Sequence, residues 1–159
     1  MVASPGMNEG VNDTIRKFGY PQTLVREYAY WILLVRPAQP TLGSLVLAAK
    51  GEAMAFGDLL PGAYAELATI THEIEAALKT VIGYDRINYL MLMMVDPYVH
   101  FHVIPRYVGS RSGAGLTIED AGWPKPPALG EAHSLSEAET SALVTHLQSG
   151  FPAMPAPTV

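Results

Sequence analysis

The stretch from Tyr98 to Arg106, Tyr-Val-His-Phe-His-Val-Ile-Pro-Arg, most constrains what this chain can fold into. Its branched and aromatic residues predict a β-strand. Side chains two apart on a strand point the same way. Tyr98, His100 and His102 therefore share one face, and Val99, Phe101 and Val103 share the other. A strand apolar on one face needs a core behind it, and the chain must build that core around this strand.

A stripe at helical spacing supplies one wall. Leu60, Tyr64, Leu67, Ile70, Ile74, Ala77, Leu78 and Val81 recur as one apolar face, with Glu66, Glu73 and Lys79 off it. Asp58 is read as the cap, Pro61 suits the first turn, and Gly83 is a natural stop. Tyr28–Val35 and Ser44–Ala49 read as two antiparallel strands joined by a turn carrying Pro37, Pro40 and Gly43. Ile87–Val95 reads as a central strand, apolar on both faces, ending at an Asp96-Pro97 turn or bulge. Gly109–Gly115 is expected to be a flexible loop, and Gly122–Pro127 an extended arm with a docked Trp123. Ser134-Leu135-Ser136-Glu137 resembles a capping box opening a helix to about Gln148.

The fold class expected is α+β: a small antiparallel sheet with one long packed helix, then a C-terminal arm and short helix. The organisation expected is a mobile N-terminus over residues 1–12, a core domain over 13–110, and an extension over 111–159 packed on it. The tail from Phe151 is proline-rich and expected to be loose.

Composition narrows the function. The chain has 159 residues, 49% hydrophobic, which suits one domain with a real core. Ten basic residues against fifteen acidic ones give a net charge of −5, with no Lys/Arg track for a nucleic-acid backbone. No cysteine is present, which removes disulfides, thiolate catalysis and Cys-type zinc sites. No apolar run is long enough to span a bilayer, and Met1–Gly10 lacks a signal-peptide stretch. A cytoplasmic protein with no membrane partner is the expectation.

Geometry alone leaves three chemistries open for His100 and His102. A neutral imidazole is a good nucleophile and passes protons. His-x-His on a strand also supplies two metal ligands, but a metal needs at least one more, from His72, His133, His146 or a carboxylate, and the sequence places none. The third reading is a hydrogen-bonded, inert pair. His72, off its helix stripe, reads as a solvated residue.

The segment His100-Phe101-His102-Val103-Ile104-Pro105-Arg106 resembles the signature of the histidine triad superfamily, His-φ-His-φ-His-φ-φ with an Ile-Pro-Arg continuation. The resemblance covers about 80 residues, Trp31 to Tyr107, in order. Gly43-Ser44-Leu45-Val46-Leu47 looks like the family's Gly-His-x-Leu-Val strand, and the helix and the strand from Ile87 follow in sequence. It implies a nucleotide hydrolase or nucleotidyl transferase acting at an α-phosphate, with His100 as nucleophile and His102 as its phosphate and proton partner. It also implies a small nucleotide-type substrate and a homodimer; no cofactor and no metal is the expectation, with a metal site as a third possibility. Tyr98, Asn88 and Arg106 are the candidate substrate-binding residues. The chain departs from the pattern at three places. Tyr98 stands where the first histidine would be, Ser44 replaces a histidine, and the residues after Asn88 are apolar where the family has a polar phosphate loop. A catalytically weak nucleotide- or partner-binding module on the same fold is the alternative implied by those departures.

Overall fold

The computed structural model describes residues 10–153. The N-terminal expectation for residues 1–12 therefore lies outside the described residues except for its last three, as does the tail beyond Ala153. Chain order begins with a short helix α1 (Asp13–Lys17), then β1 (Leu24–Glu27), β2 (Trp31–Val35), β3 (Ala38–Gln39) and β4 (Leu45–Ala49). The long helix α2 (Pro61–Val81) follows, then β5 (Arg86–Leu90) and the histidine strand β6 (His100–Arg106). The chain closes with β7 (Ser110–Gly113), β8 (Leu116–Glu119), β9 (His133–Ser134) and α3 (Glu137–Gln148).

The main sheet has five antiparallel strands in the order β1-β2-β4-β6-β5. This is the α+β architecture expected. Its two faces are covered differently. Trp31, Leu33, Val35, Leu45, Leu47 and Val103 pack with Ile70, Ile74 and Leu78 of α2 and with Leu143 and Leu147 of α3. Each such burial contributes on the order of 1.5–3 kcal/mol. The Trp31 indole N–H donates to the Ala63 carbonyl at 2.8 Å, tying β2 to the first turns of α2. The opposite face carries a smaller cluster, Ile32, Leu34, Val46 and Ala48, covered by Ile15 of α1 and by Phe18. His100 and His102 lie on this second face, since they pair with Ala48 and Val46.

Several elements differ from their sequence reading. Tyr28–Tyr30 is not strand but the turn between β1 and β2, closed by Tyr28 N–H donating to the Trp31 carbonyl. Glu66 on α2 accepts from the Ala29 and Tyr30 amides, so this off-stripe residue holds the hairpin. Asp58 ends a short 3-10 turn (Phe56–Asp58), and Leu60 occupies the N-cap of α2 without a side-chain bond. Gly83, at φ +72°, takes the left-handed position that ends the helix, and its N–H donates to the Leu78 carbonyl.

The strand expected over Ile87–Val95 stops at Leu90 and is an edge strand, not a central one. Met93 sits at φ +49°, which a pleated strand does not accommodate. Met94 and Val95 beyond it are 87% and 79% exposed. The expected loop Gly109–Gly115 is instead the β7–β8 hairpin, turned by Ala114 (φ +53°) and Gly115 (φ +76°), the two positive-φ residues that a tight hairpin needs. The capping box is present two residues later than read: Ser136 caps α3 and Glu139 reciprocates.

Candidate active site

β6 projects His100 and His102 from the same face because they are two apart on a strand. Their ring centroids lie 5.1 Å apart, with planes at 77°. Both rings are shielded, at 2% and 7% exposure for the two residues. The shield is Phe18, whose ring lies 5.5 Å from His100 and 5.7 Å from His102, edge-on to the latter. Just after α1, the chain thus lays an aromatic side chain over both imidazoles. An ion pair between Lys17 and Asp96, at 2.7 Å, ties the same segment to the loop before β6.

The tautomers follow from the partners. His100 Nδ1 is 2.7 Å from the carbonyl oxygen of Tyr98. A carbonyl only accepts, so Nδ1 carries the proton and the lone pair of the neutral ring is on Nε2. His102 is set the opposite way. Arg36 donates through Nε to His102 Nδ1 at 3.3 Å, so the proton of the neutral ring is on Nε2. Burial, then the Arg36 guanidinium, then His100 push the His102 pKa down from 6.5 to about 4, against a smaller opposing pull from Asp96.

His102 is therefore a neutral Nε2–H donor near pH 7, not an imidazolium. NMR of the ring is expected to show no protonation between pH 8 and pH 5. The unfolded chain takes this proton first as pH falls. Stability contributed by the neutral ring is complete above pH 6.5 and lost between 6.5 and about 4. The loss is on the order of 2 kcal/mol, because each tenfold drop in proton affinity is worth ~1.4 kcal/mol and solvent at the ring edge reduces the total. A denaturation midpoint unchanged over that interval would contradict this assignment.

The other candidates lie elsewhere. Tyr98 precedes the strand, and its main-chain carbonyl, not its ring, reaches His100. Its side chain lines a separate cleft of about 390 Å3 with Gly10, Asn12, Arg16, Gly51 and Glu52. Arg106 is buried and bidentate on Asp120, with Nε to Oδ2 at 2.7 Å and Nη2 to Oδ1 at 3.2 Å. It also donates to Asn88 Oδ1 at 2.8 Å and to the Lys125 carbonyl at 2.7 Å. The guanidinium and amide expected to meet a substrate are thus engaged on each other and on the arm of residues 120–127. Trp123 in that arm is half-buried.

The remaining histidines do not converge on the pair. His72 is exposed, His133 bonds Glu139 at 3.2 Å, and His146 Nε2 lies 3.3 Å from the Val81 carbonyl. Among the described residues no group of three or more His, Asp or Glu is placed to hold a metal ion. No helix among them is long and apolar enough to cross a membrane. Arg36, the residue that orients His102, carried no signal in the sequence beyond its place in a two-proline turn.

No family model and no curated protein sequence matches the chain. Solved structures do. A histidine triad protein from Sinorhizobium meliloti 1021 aligns with TM-score 0.71 at 21% identity, over 92% of this chain and 100% of that one. A histidine triad protein from Marinobacter aquaeolei VT8 aligns with TM-score 0.67 at 16% identity, over 94% and 97%. The fold is that of the histidine triad proteins. A third histidine-triad fold, a hypothetical histidine triad nucleotide-binding protein from Sulfolobus tokodaii strain7, aligns with TM-score 0.61 at 16% identity, over 80% of this chain and 82% of that one. At these identities the likeness speaks for the histidine-triad fold, and the chemistry rests on the side chains.

Proposed function

We propose that this chain is a nucleotide hydrolase or nucleotidyl transferase that acts at an α-phosphate through a nucleotidyl-histidine on His100. The observation that carries the reading is the His100 Nδ1–Tyr98 carbonyl bond, which leaves Nε2 as the nucleophilic nitrogen. The Nε2 lone pair forms a bond to phosphorus while the bond from phosphorus to the leaving oxygen breaks, and that oxygen departs with the electron pair. The ring then carries the positive charge, with Nδ1–H still held on the Tyr98 carbonyl. Water, or another acceptor, attacks the same phosphorus, the P–N bond breaks, and Nε2 regains its lone pair as the acceptor's proton is released.

His102 acts as a hydrogen-bond donor to a phosphoryl oxygen through Nε2–H, which lowers the cost of charge developing there. It has no spare proton for a leaving group, because Nδ1 is occupied by Arg36. Leaving groups that are stable as anions fit this arrangement best, so dinucleoside polyphosphates and nucleotide sugars are favoured over phosphoramidates. The similar fold from Sulfolobus tokodaii, described as nucleotide-binding, supports a nucleotide ligand. The test is mass spectrometry of acid-quenched protein after exposure to such a panel. A nucleotidyl adduct on His100 is expected, and neither adduct nor turnover anywhere in the panel would end the proposal.

One observation favours the second reading, a catalytically weak binding module. His100 is 2% exposed, and the Phe18 ring lies 5.5 Å from its own, which leaves little room for phosphorus at Nε2. That reading predicts nucleotide affinity by calorimetry without turnover. A cytoplasmic setting suits a chain without cysteines. A homodimer is part of the proposal as well: β5 ends the sheet, and Leu92, Met94 and Val95 beyond it are exposed. Light scattering on the purified chain is expected to give the mass of two copies, and a monomer at micromolar concentration would remove the dimer.

A further inference from the structure

A phosphate at this site needs positive charge, and the sequence lacks the polar loop that would cradle it. The nearby cations are mostly committed. Lys17 is paired with Asp96, Lys50 with Glu27, and Arg106 with Asp120. Arg36 is the exception. It follows β2 on the face of Ile32 and Leu34, and its side chain crosses β4 to reach His102. Nε donates to His102 Nδ1 and Nη1 to the Ala38 carbonyl. Among the described residues no carboxylate lies within ion-pair distance of Arg36, and its Nη2 has no hydrogen-bond partner.

The guanidinium is half-buried, and burial lowers its pKa without an opposing acid. A partly desolvated cation with no counter-ion costs some stability. An anion arriving beside it removes that cost, and a guanidinium is well matched to a phosphate. Two more groups lie close by. His102 Nε2–H is a donor held by Arg36 itself, and the His100 ring is 5.1 Å from His102.

We infer that Arg36 is the anion-binding residue of the histidine site, its Nη2 taking a non-bridging oxygen of a phosphate seated beside His100 and His102. The ligand class is the nucleoside phosphates. This inference rests on the proposed function for the nucleoside part of the ligand, while the phosphate part rests on Arg36. One charged side chain here does what a row of backbone amides does in a phosphate loop, which accounts for an apolar sequence after Asn88.

The test is calorimetry on the full chain at low salt, with adenosine 5′-monophosphate and adenosine as probes. Wild type is expected to bind the monophosphate at least tenfold more tightly than adenosine. Arg36→Met and Arg36→Gln are both expected to erase that preference, leave adenosine affinity unchanged, and melt at or above the wild-type temperature, since an uncompensated cation has gone. Arg36→Lys is expected to restore part of it. Equal binding of the two probes by wild type, or a neutral variant that retains the preference, overturns the inference. If the preference depends on Arg36 but wild type forms no adduct on His100, the anion site stands and nucleotidyl transfer falls. If the adduct forms at an unchanged rate in the neutral variants, Arg36 falls and nucleotidyl transfer stands.

Discussion

His100→Ala is expected to reduce nucleotide turnover by at least about 10³-fold, equivalent to ~4 kcal/mol of lost transition-state stabilisation, and to abolish the covalent adduct. The size follows from the role. A nucleophile cannot be replaced by a neighbour that lacks a free lone pair, and the only adjacent imidazole, His102, has its Nδ1 engaged by Arg36 and its Nε2 protonated. Water attack without the histidine is left with binding and the donors alone. The alanine variant also opens a cavity beneath Phe18, so a fall in activity alone is ambiguous. His100→Gln resolves this. Glutamine keeps most of the volume and an N–H for the Tyr98 carbonyl, but it has no nucleophilic nitrogen. It is expected to melt near wild type and still give neither adduct nor turnover. Turnover within tenfold of wild type in the glutamine variant would show that His100 does not attack phosphorus. A pH profile adds a further check: with His102 neutral down to about 4, no loss of activity assigned to its protonation is expected between pH 8 and pH 5.

What the sequence carried and what it did not divide along physical lines. The β6 strand was legible because period two is local, and α2 because its stripe repeats over 21 residues. The capping box was legible as chemistry, although its exact residue shifted from Ser134 to Ser136. β1 was missed because Arg26 and Glu27 resemble loop residues. Their burial is made tolerable by Glu73 and Lys50, partners far along the chain that no local pattern shows. The end of β5 was missed because an apolar run says what is hydrophobic and not where the backbone turns, and the run continues through Met93 to exposed Met94 and Val95. The histidine pair was legible, and its electrostatics were not. Arg36 lies 66 residues from His102 in sequence and meets it only because β2, β4 and β6 are neighbours in the sheet. That contact fixes the His102 tautomer and lowers the ring's pKa, neither of which its place in the sequence shows.

Asp120→Ala is expected to destabilise the fold by about 3–5 kcal/mol, because it leaves the Arg106 guanidinium buried without its counter-charge. The side chains of the pair are 5% and 1% exposed, so water cannot substitute for the lost carboxylate. Asp120 also accepts from the amides of Tyr107 and Gly122, each at 3.2 Å, and those donors lose their partner too. At roughly 2–4 °C per kcal/mol for a chain of this size, the melting temperature falls by about 10 °C or more. The double variant Asp120→Leu with Arg106→Met removes both charges and is expected to recover part of that loss. A decrease under about 2 °C in the single variant would show that Arg106 finds another partner. The consequence for function separates two roles for Arg106. Four of its hydrogen bonds are spent on Asp120, Asn88 and Lys125, so its work is to fix the arm of residues 120–127 against β5 and β6. Well below its melting temperature, the Asp120→Ala protein should therefore still form the His100 adduct within a few-fold of the wild-type rate. If the adduct is lost while the protein remains folded, the arm or Arg106 reaches the substrate, and phosphate recognition extends along β6 beyond Arg36 and the histidine pair.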